Sequence, residues 1–568
     1  MSNFLKTFAL LPRSYKNKSL LFIIFLILAT FLETLGIGLI FPLIDLIIND
    51  NFTKNLFGID LKSISLKYDK QDLVFNFLIF YIFLIIFKSL YLVFFSFWNN
   101  KFSQDLYKHL SEMLLLFYMN MDFSFYFKRN SSELLRNVIM ECKNIGSIAL
   151  TYLKLIVELV LSLSIIIVIF YIDPMISILT LGIFLFFSIV YFTLVKKIIY
   201  NYGLIRQSSS NEQIKTLQEA FSGIKDIKLK SLESFFQKIY YACIKKFTNA
   251  AYKSNTLAEL PKILTELVFL VIVCVIVLYN SIVTSNIENI IPVIGLYAAV
   301  ALKLIPSIAK LLSLSQNLQS LKPSIEVISN EIQIKKDTIK KEENKNVDNI
   351  SFEKKIILKN ITFSYDQNKI LFKNLNLEIK KNSFVGIIGQ SGKGKSTLID
   401  LITGILTPLS GKIFVDDKDI SSNIRSWQNK IGYVSQNIFL MDSTLKKNIA
   451  FGSEDNEIND KNIIQCCKDA MIYDFINSLK DKFHTKVGEK GIKLSGGQIQ
   501  RLAIARELYR KPKLLILDEA TSGLDEKTEN EILEFLEKIK GKITVIIVSH
   551  RKNTIKNCNE ILDLSKQN

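Results

Sequence analysis

Hydrophobic and polar positions divide this chain into two unlike parts. The first part carries six long apolar runs, at about 19–48, 73–98, 148–172, 175–195, 264–279 and 290–312. Such runs are read as helices crossing a hydrocarbon core of ~30 Å, some of them continuing beyond it. Asp173-Pro174 leaves only a turn between the third and fourth runs, and 280–289 joins the fifth and sixth; neither connection holds Lys or Arg. The segments 99–147 and 196–260 are long and rich in both, which predicts that they face the cytoplasm, together with the amino terminus and everything after the sixth run. The 50–71 connection carries four lysines against this rule. Its apolar positions recur at helical spacing, and an interfacial helix on the outer face and a plain loop both fit it.

The two cytoplasmic segments are too long for simple connections. They predict that helices two to five project well past the membrane, with a turn at each tip near 121–135 and 217–230. Those tips set Phe123, Phe125, Tyr126, Phe127 and Phe221 beside charged residues, a composition suited to docking on another domain. Four lysines fall inside the apolar runs or at their edges: Lys88, Lys262, Lys303 and Lys310. A charge at mid-depth costs about 2.5–3.5 kcal/mol on insertion scales, so such groups face a cavity or a partner. Glu266 lies one turn from Lys262, and Glu33 and Glu158 are further possible partners. An aqueous path that attracts an anionic substrate is the functional reading, and pairing or snorkelling the structural one.

After the sixth run the pattern changes. Residues 320–350 are charged and poor in aromatics and read as a linker. From about 353, short apolar strands alternate with helices, the signature of an α/β domain. The expected organisation is a transmembrane domain over 1–320, a linker over 321–350 and a nucleotide-binding domain over 351–568.

The α/β part holds a complete P-loop, Gly389-Gln390-Ser391-Gly392-Lys393-Gly394-Lys395-Ser396-Thr397, between an apolar strand at 384–388 and a helix opening at 397. Its glycines let backbone N–H groups turn onto phosphates, and the helix start adds positive potential. Lys395 would reach the β/γ-phosphates and Ser396 would hold Mg²⁺. A buried strand, 513–517, ends in Asp518-Glu519; the first carboxylate can hold Mg²⁺ through water and the second can polarise the attacking water. Ser495, Gly496, Gly497 and Gln498 open another helix with anion-binding amides. Gln436 follows a strand and could sense Mg²⁺ or water, His550 ends a strand and can donate to the γ-phosphate, and Tyr365 offers a ring for adenine.

Composition adds to this picture at three points. Mean hydropathy is +0.27, high for a soluble chain. The net charge of +18 is read as a cytoplasmic face against anionic lipid, with no nucleic acid as partner. Six cysteines without C-x-x-C pairing read as free thiols in a reducing compartment, and three histidines exclude a His-rich metal site.

The order of these motifs resembles the nucleotide-binding domain of an ABC transporter: P-loop, LSGGQ signature at Leu494–Gln498, Walker B strand with Asp518 and Glu519, D-loop Ser522-Gly523-Leu524-Asp525, and switch His550. The six runs before it are similar to the exporter arrangement. The resemblance implies an ATPase coupled to translocation, with ATP and Mg²⁺ bound and Glu519, His550 and Gln436 catalytic. It also implies that ATP is sandwiched between the P-loop of one copy and the signature of another, so a homodimer is expected. Within the exporters the chain most resembles PglK-type flippases of lipid-linked oligosaccharides, on Phe31-Leu32-Glu33-Thr34, Phe41-Pro42 and the stretch 365–381. That resemblance implies a bacterial inner-membrane flippase whose cationic belt, here Lys88, Lys262, Lys303 and Lys310, meets the pyrophosphate of a polyprenyl carrier. The family pattern has arginine there; lysine keeps the charge but not the bidentate fork. A lipid, drug or peptide exporter of the same architecture is the alternative. A membrane-tethered regulatory ATPase is the reading from another class, and six full spans with aromatic tips argue against it.

Overall fold

The computed structural model describes residues 13–39, 70–172, 174–283, 290–342, 349–365, 370–390, 392–488, 491–519, 526–549, 555 and 558–565. The chain divides into two units, Met1–Met121 with Tyr126–Thr338, which is helical, and Asp122–Phe125 with Ile339–Asn568, which holds the α/β domain.

Among the described residues of the first unit there are six long helices: α1 (Arg13–Gly38), α2 (Lys70–Met119), α3 (Cys142–Ile172), α4 (Pro174–Ser222), α5 (Glu233–Val283) and α6 (Ile290–Glu342). Helices α2, α4, α5 and α6 have 50, 49, 51 and 53 residues. At 1.5 Å per residue each is about 75 Å long, more than twice a hydrocarbon core, so each extends far past it, as the spacing predicts for α2, α4 and α5. The turns fall where expected, at the short helices Phe123–Phe127 and Ile224–Leu229, and Phe123, Tyr126, Phe127 and Phe221 are exposed there. Among the described residues, the stretches Val74–Met119 and Ser131–Ile167 are long and apolar enough to cross a membrane. The outer-face helix considered for 50–71 lies almost wholly outside the described residues.

One face of α2 packs on α1 and α3 through Phe22, Leu26, Phe95 and Trp98. Its Tyr81 and Tyr91 hydroxyls donate to the Gly36 and Phe25 carbonyls of α1, at 3.0 and 2.8 Å. Elsewhere on the helix Ile82, Phe83, Ile86 and Val93 are exposed. A helix apolar all round suits lipid on one side and protein on the other. Past the apolar stretch the packing turns polar. Arg129 in the first tip bonds Glu331 of α6, and Arg136 meets Glu141 at 3.2 Å, which also accepts from Gln207 of α4 at 2.9 Å. The charged stretch read as a linker is helical through Glu342, because Ser324, Ile325, Ile328 and Glu331 recur on one buried face.

In the second unit, β3 (Phe384–Ile388), β6 (Ile431–Val434), β7 (Leu514–Asp518), β8 (Thr544–Val548) and β9 (Glu560–Asp563) form a parallel sheet in the order β6-β7-β8-β3-β9. Alternate side chains fill two cores. Ile387, Leu514, Ile516, Ile546 and Val548 join one, and Phe384, Leu515, Leu517, Val545 and Ile547 the other. Strands buried on both faces read as continuous apolar runs, as LLIL and TVIIV do here. A second, antiparallel sheet pairs β1 (Lys355–Ser364) with β2 (Ile370–Lys380) and β4 (Ser410–Val415), with β5 (Lys418–Asp419) at its edge. Because every strand of the five-stranded sheet runs the same way, the loops after β3, β6, β7 and β8 leave by one edge. That is where ligands sit in open α/β sheets.

The lysines of the apolar runs have separate surroundings. Lys88 is half-buried on α2, and its ammonium packs beside Gly36, where an added Cβ would lie 3.5 Å away. Lys262 is exposed on α5. The Lys303 side chain lies outside the described ones. Lys310 of α6 bonds Glu158 of α3, and the second Glu158 oxygen accepts from Ser307 at 2.8 Å. Glu158 is only 5% exposed, so the Lys310 charge serves as its counter-ion. Lys310→Ala should lower stability by about 1–3 kcal/mol, less than a wholly buried pair because the lysine is half exposed. Thermal unfolding of the purified protein tests this; a Lys310→Ala, Glu158→Leu double variant should recover most of the loss.

Candidate functional site

The P-loop leaves β3 and enters α7 (Lys395–Ile402). Gly394 has φ +90°, and a Cβ there would lie 2.8 Å from Phe372 and 3.0 Å from Leu371, so only glycine closes this turn against β2. Lys395 is buried, and its ammonium donates to the Gly389 carbonyl at 2.7 Å and more weakly to that of Gln390 at 3.4 Å. The loop is thereby wrapped around its own lysine. Ser396 is exposed at the start of α7, while Gly392 and Lys393 are exposed in the loop. Thr397 is buried, and its hydroxyl lies 3.0 Å from that of Tyr365. The Tyr365 ring is half exposed and stands edge-on to Phe363, 5.1 Å between centroids. The ring expected to stack on adenine is therefore tethered to the P-loop helix.

Two carboxylates stand at the end of β7. Asp518 is 6% exposed and accepts from the Tyr433 hydroxyl at 3.2 Å. Burial pushes its carboxyl up; the Tyr433 bond holds it down, Glu519 adds to the rise and Lys395 opposes it. Glu519 has φ +49°, the left-handed region that a non-glycine residue occupies only when its surroundings hold it there. Its N–H donates to the Val548 carbonyl at 3.0 Å, and its carboxylate accepts from the Gln436 amide at 2.8 Å. Gln436 and Glu519, 83 residues apart in the chain, are thus joined at the sheet edge. His550, Ser391 and the stretch 520–525 lie outside the described residues.

The signature motif starts α8 (Gly496–Tyr509) with a capping box. The Ser495 hydroxyl accepts from the Gln498 N–H at 3.3 Å, and the Gln498 side chain accepts from the Ser495 N–H at 2.9 Å. Nothing lies within 4 Å of a Cβ built on Gly496, so this helix start is open to approach from outside.

Two members of the site were missed from the sequence. Tyr433 orients Asp518, and β6 pairing sets it opposite Ile516, two residues before that carboxylate. Asp400 follows Lys395 by five residues on α7; burial, with Asp518 next to it, pushes its carboxyl up to about 6. The strand register of Tyr433 and the helical spacing of Asp400 are the signals that could have found them.

These residues fit a magnesium nucleotide. The P-loop amides and Lys395 form a cradle for phosphates, while Ser396 and Asp518 offer the few oxygen ligands that Mg²⁺ takes from protein when phosphate and water complete its shell. Among the described residues no three His, Cys, Asp or Glu side chains come together as an all-protein metal cage.

Fold and site together define a P-loop ATPase unit joined to a membrane-type helical unit. Two family models match the chain, ABC transporter over residues 372–522 and ABC transporter transmembrane region over residues 19–298. The chain belongs to the ABC transporters, with a transmembrane region followed by an ATPase domain. Sequence relatives include ATP-binding cassette sub-family B member 5 of Homo sapiens, 43% identical over 218 residues, which are 38% of this chain and 17% of that protein. The Sophorolipid transporter of Starmerella bombicola is 40% identical over 224 residues, 38% of this chain and 17% of that one. ABC transporter B family member 17 of Arabidopsis thaliana is 40% identical over 230 residues, 39% and 18% respectively. The matched part is thus under a fifth of each relative's length. Of solved structures, one described as "Structure of a bacterial Atm1-family ABC exporter with ATP bound" shares the fold, with TM-score 0.77, 22% identity, and coverage of 97% of this chain and 94% of that one.

Asp400 yields a pH prediction. Its folded carboxyl lies above the ordinary 3.8, so between about 4 and 6 the folded protein holds a proton that the unfolded chain has released. Its stabilising contribution is full below that window and is lost as pH rises through it. Asp400→Asn should therefore raise the melting temperature at pH 7, with the gain shrinking toward pH 4. Equal gains at both pH values would contradict the buried-carboxylate account.

Proposed function

We propose that this chain is one half of a homodimeric, ATP-driven flippase that moves a lipid-anchored anion, a polyprenyl-pyrophosphate-linked oligosaccharide, from the inner to the outer leaflet of a bacterial inner membrane. The observation that carries the ATPase part is the Gln436–Glu519 hydrogen bond at 2.8 Å, beside Asp518 and on the same sheet edge as Lys395. Glu519 is in place to take the proton of the attacking water, Gln436 holds its carboxylate in position, and Lys395 exchanges its loop carbonyls for phosphate oxygens. Bound Mg²⁺ would neutralise developing phosphate charge. His550 is assigned to the γ-phosphate by its place in the motif order, and the half-exposed ring of Tyr365 is offered to adenine. The second half of each ATP site, Ser495 to Gln498, comes from the other copy.

The substrate assignment rests on Lys88, Lys262 and Lys303, with Lys310 set aside as the partner of Glu158. Lys88 supports the reading by its place, half-buried within the stretch of α2 that is long and apolar enough to cross a membrane. A second reading, export of another lipid or of a drug, is favoured by relatives whose names are Sophorolipid transporter and Multidrug resistance protein 3.

Reconstitution in proteoliposomes tests both readings. Lipid-linked oligosaccharide should stimulate ATP hydrolysis and appear in the outer leaflet. Glu519→Gln should bind ATP and stop turnover. Replacing Lys88, Lys262 and Lys303 together by alanine should cut transport by more than about tenfold, equivalent to 1.4 kcal/mol. Undiminished transport by that triple variant would remove the cationic belt, and stimulation by uncharged glycolipid alone would favour the second reading.

A further inference from the structure

Arg506 lies on α8, a little over two turns beyond the signature, and is buried. Its guanidinium donates three hydrogen bonds, none to a carboxylate: Nε to the Asn448 carbonyl at 2.8 Å, Nη1 to the Phe439 carbonyl at 2.7 Å, and Nη2 to Asn448 Oδ1 at 3.2 Å. Asn448 is fully buried and closes the same segment on itself. It accepts from the Met441 N–H at 3.0 Å and donates to the Met441 and Thr444 carbonyls at 3.0 and 3.1 Å. Arg506 also lies over the Phe451 ring at 5.0 Å, and that ring stands edge-on to Phe439 at 6.4 Å. The residues from 439 to 451 are thus fastened to the last turn of α8.

The amino end of α8 is placed differently. Gly496, Ile499 and Gln500 line one side of a cavity of about 460 Å³ whose other side is 436–440. Arg506 ties the two walls together near the far end of α8, through the Phe439 carbonyl. The segment it grips begins three residues after Gln436, which is bonded to Glu519.

We propose that Arg506 is a positioning residue that couples the two ATP half-sites carried by one chain. A displacement of the signature, when it engages the nucleotide held by the other copy, is carried along α8 to Arg506, then to Phe439 and Asn448, and so to Gln436 and the carboxylate of Glu519. Lysine would keep the charge but could not hold three oxygens in the plane of one fork. The inference rests on the shared-site reading above.

Hydrogen exchange on the full-length Glu519→Gln protein in nanodiscs, titrated with ATP and Mg²⁺, tests it. Exchange should slow at 495–499 and at 437–450 over the same ATP range. Adding Arg506→Lys should speed exchange at 439–450 by roughly tenfold, as expected for losing charge-assisted hydrogen bonds. It should also abolish the ATP response there and leave that at 495–499. In the protein with Glu519 intact, Arg506→Lys should bring the Hill coefficient for ATP hydrolysis toward one. An unchanged response at 437–450 in the lysine variant would overturn the proposal. Should that variant not fold, the titration of the parent decides: responses at different ATP concentrations, or at 495–499 alone, overturn the coupling. A parent in which ATP alters neither segment refutes the shared-site reading itself, and the coupling with it.

Discussion

The parallel direction of β3, β6, β7 and β8 is the constraint on which the candidate ATP site depends. Residues 395, 436, 518 and 519 are scattered over 125 positions of sequence, and only a shared strand direction brings their loops to one edge. The sheet is fixed in turn by two cores built from alternate residues of the same strands. A register slip of one residue in β7 would exchange the two faces and carry Asp518 away from Tyr433. Chemistry and core packing are therefore one specification, written in the runs LLILD and TVIIV.

The helical unit obeys another constraint. Its helices are longer than a membrane is thick, and their outer parts must pack without lipid. They do so with ion pairs and amides, such as Arg129 with Glu331 and Arg136 with Glu141 and Gln207. Asn137–Glu141 forms a π-helical turn at this point, a local widening that often marks functional positions. Buried charge of this kind contributes little net stability, but it penalises every arrangement that leaves one partner alone.

Much of this was legible in the sequence, and for identifiable reasons. The P-loop, the helix start at Ser495 and the carboxylates after LLIL each announce themselves by local spacing. The length of the helices followed from the distance between apolar runs and charged tips. What stayed hidden depends on partners distant in the chain. The 321–342 stretch looked like a linker because charge outweighed apolar content, yet one side of it, with Ile325 and Ile328, is buried. Lys310 was open to a cavity reading and a paired one, and only the approach of Glu158, 152 residues away, decides for pairing. Asp400 and Tyr433 belong to no motif, and only the approach of α7 and β6 to Asp518 makes them part of the site. The tether of Tyr365 to Thr397 is likewise a tertiary fact.

The central claim is that each ATP site is made by two copies of this chain. Complementation tests it most directly. Lys395→Ala removes the P-loop lysine and Ser495→Arg blocks the signature, and each homodimer should be inactive. Co-expressed, the two variants should form a mixed dimer with one intact site, and ATP hydrolysis should return at a substantial fraction of the parent rate. Persistent inactivity of a mixed dimer shown to assemble, or full activity of Ser495→Arg alone, would contradict the account.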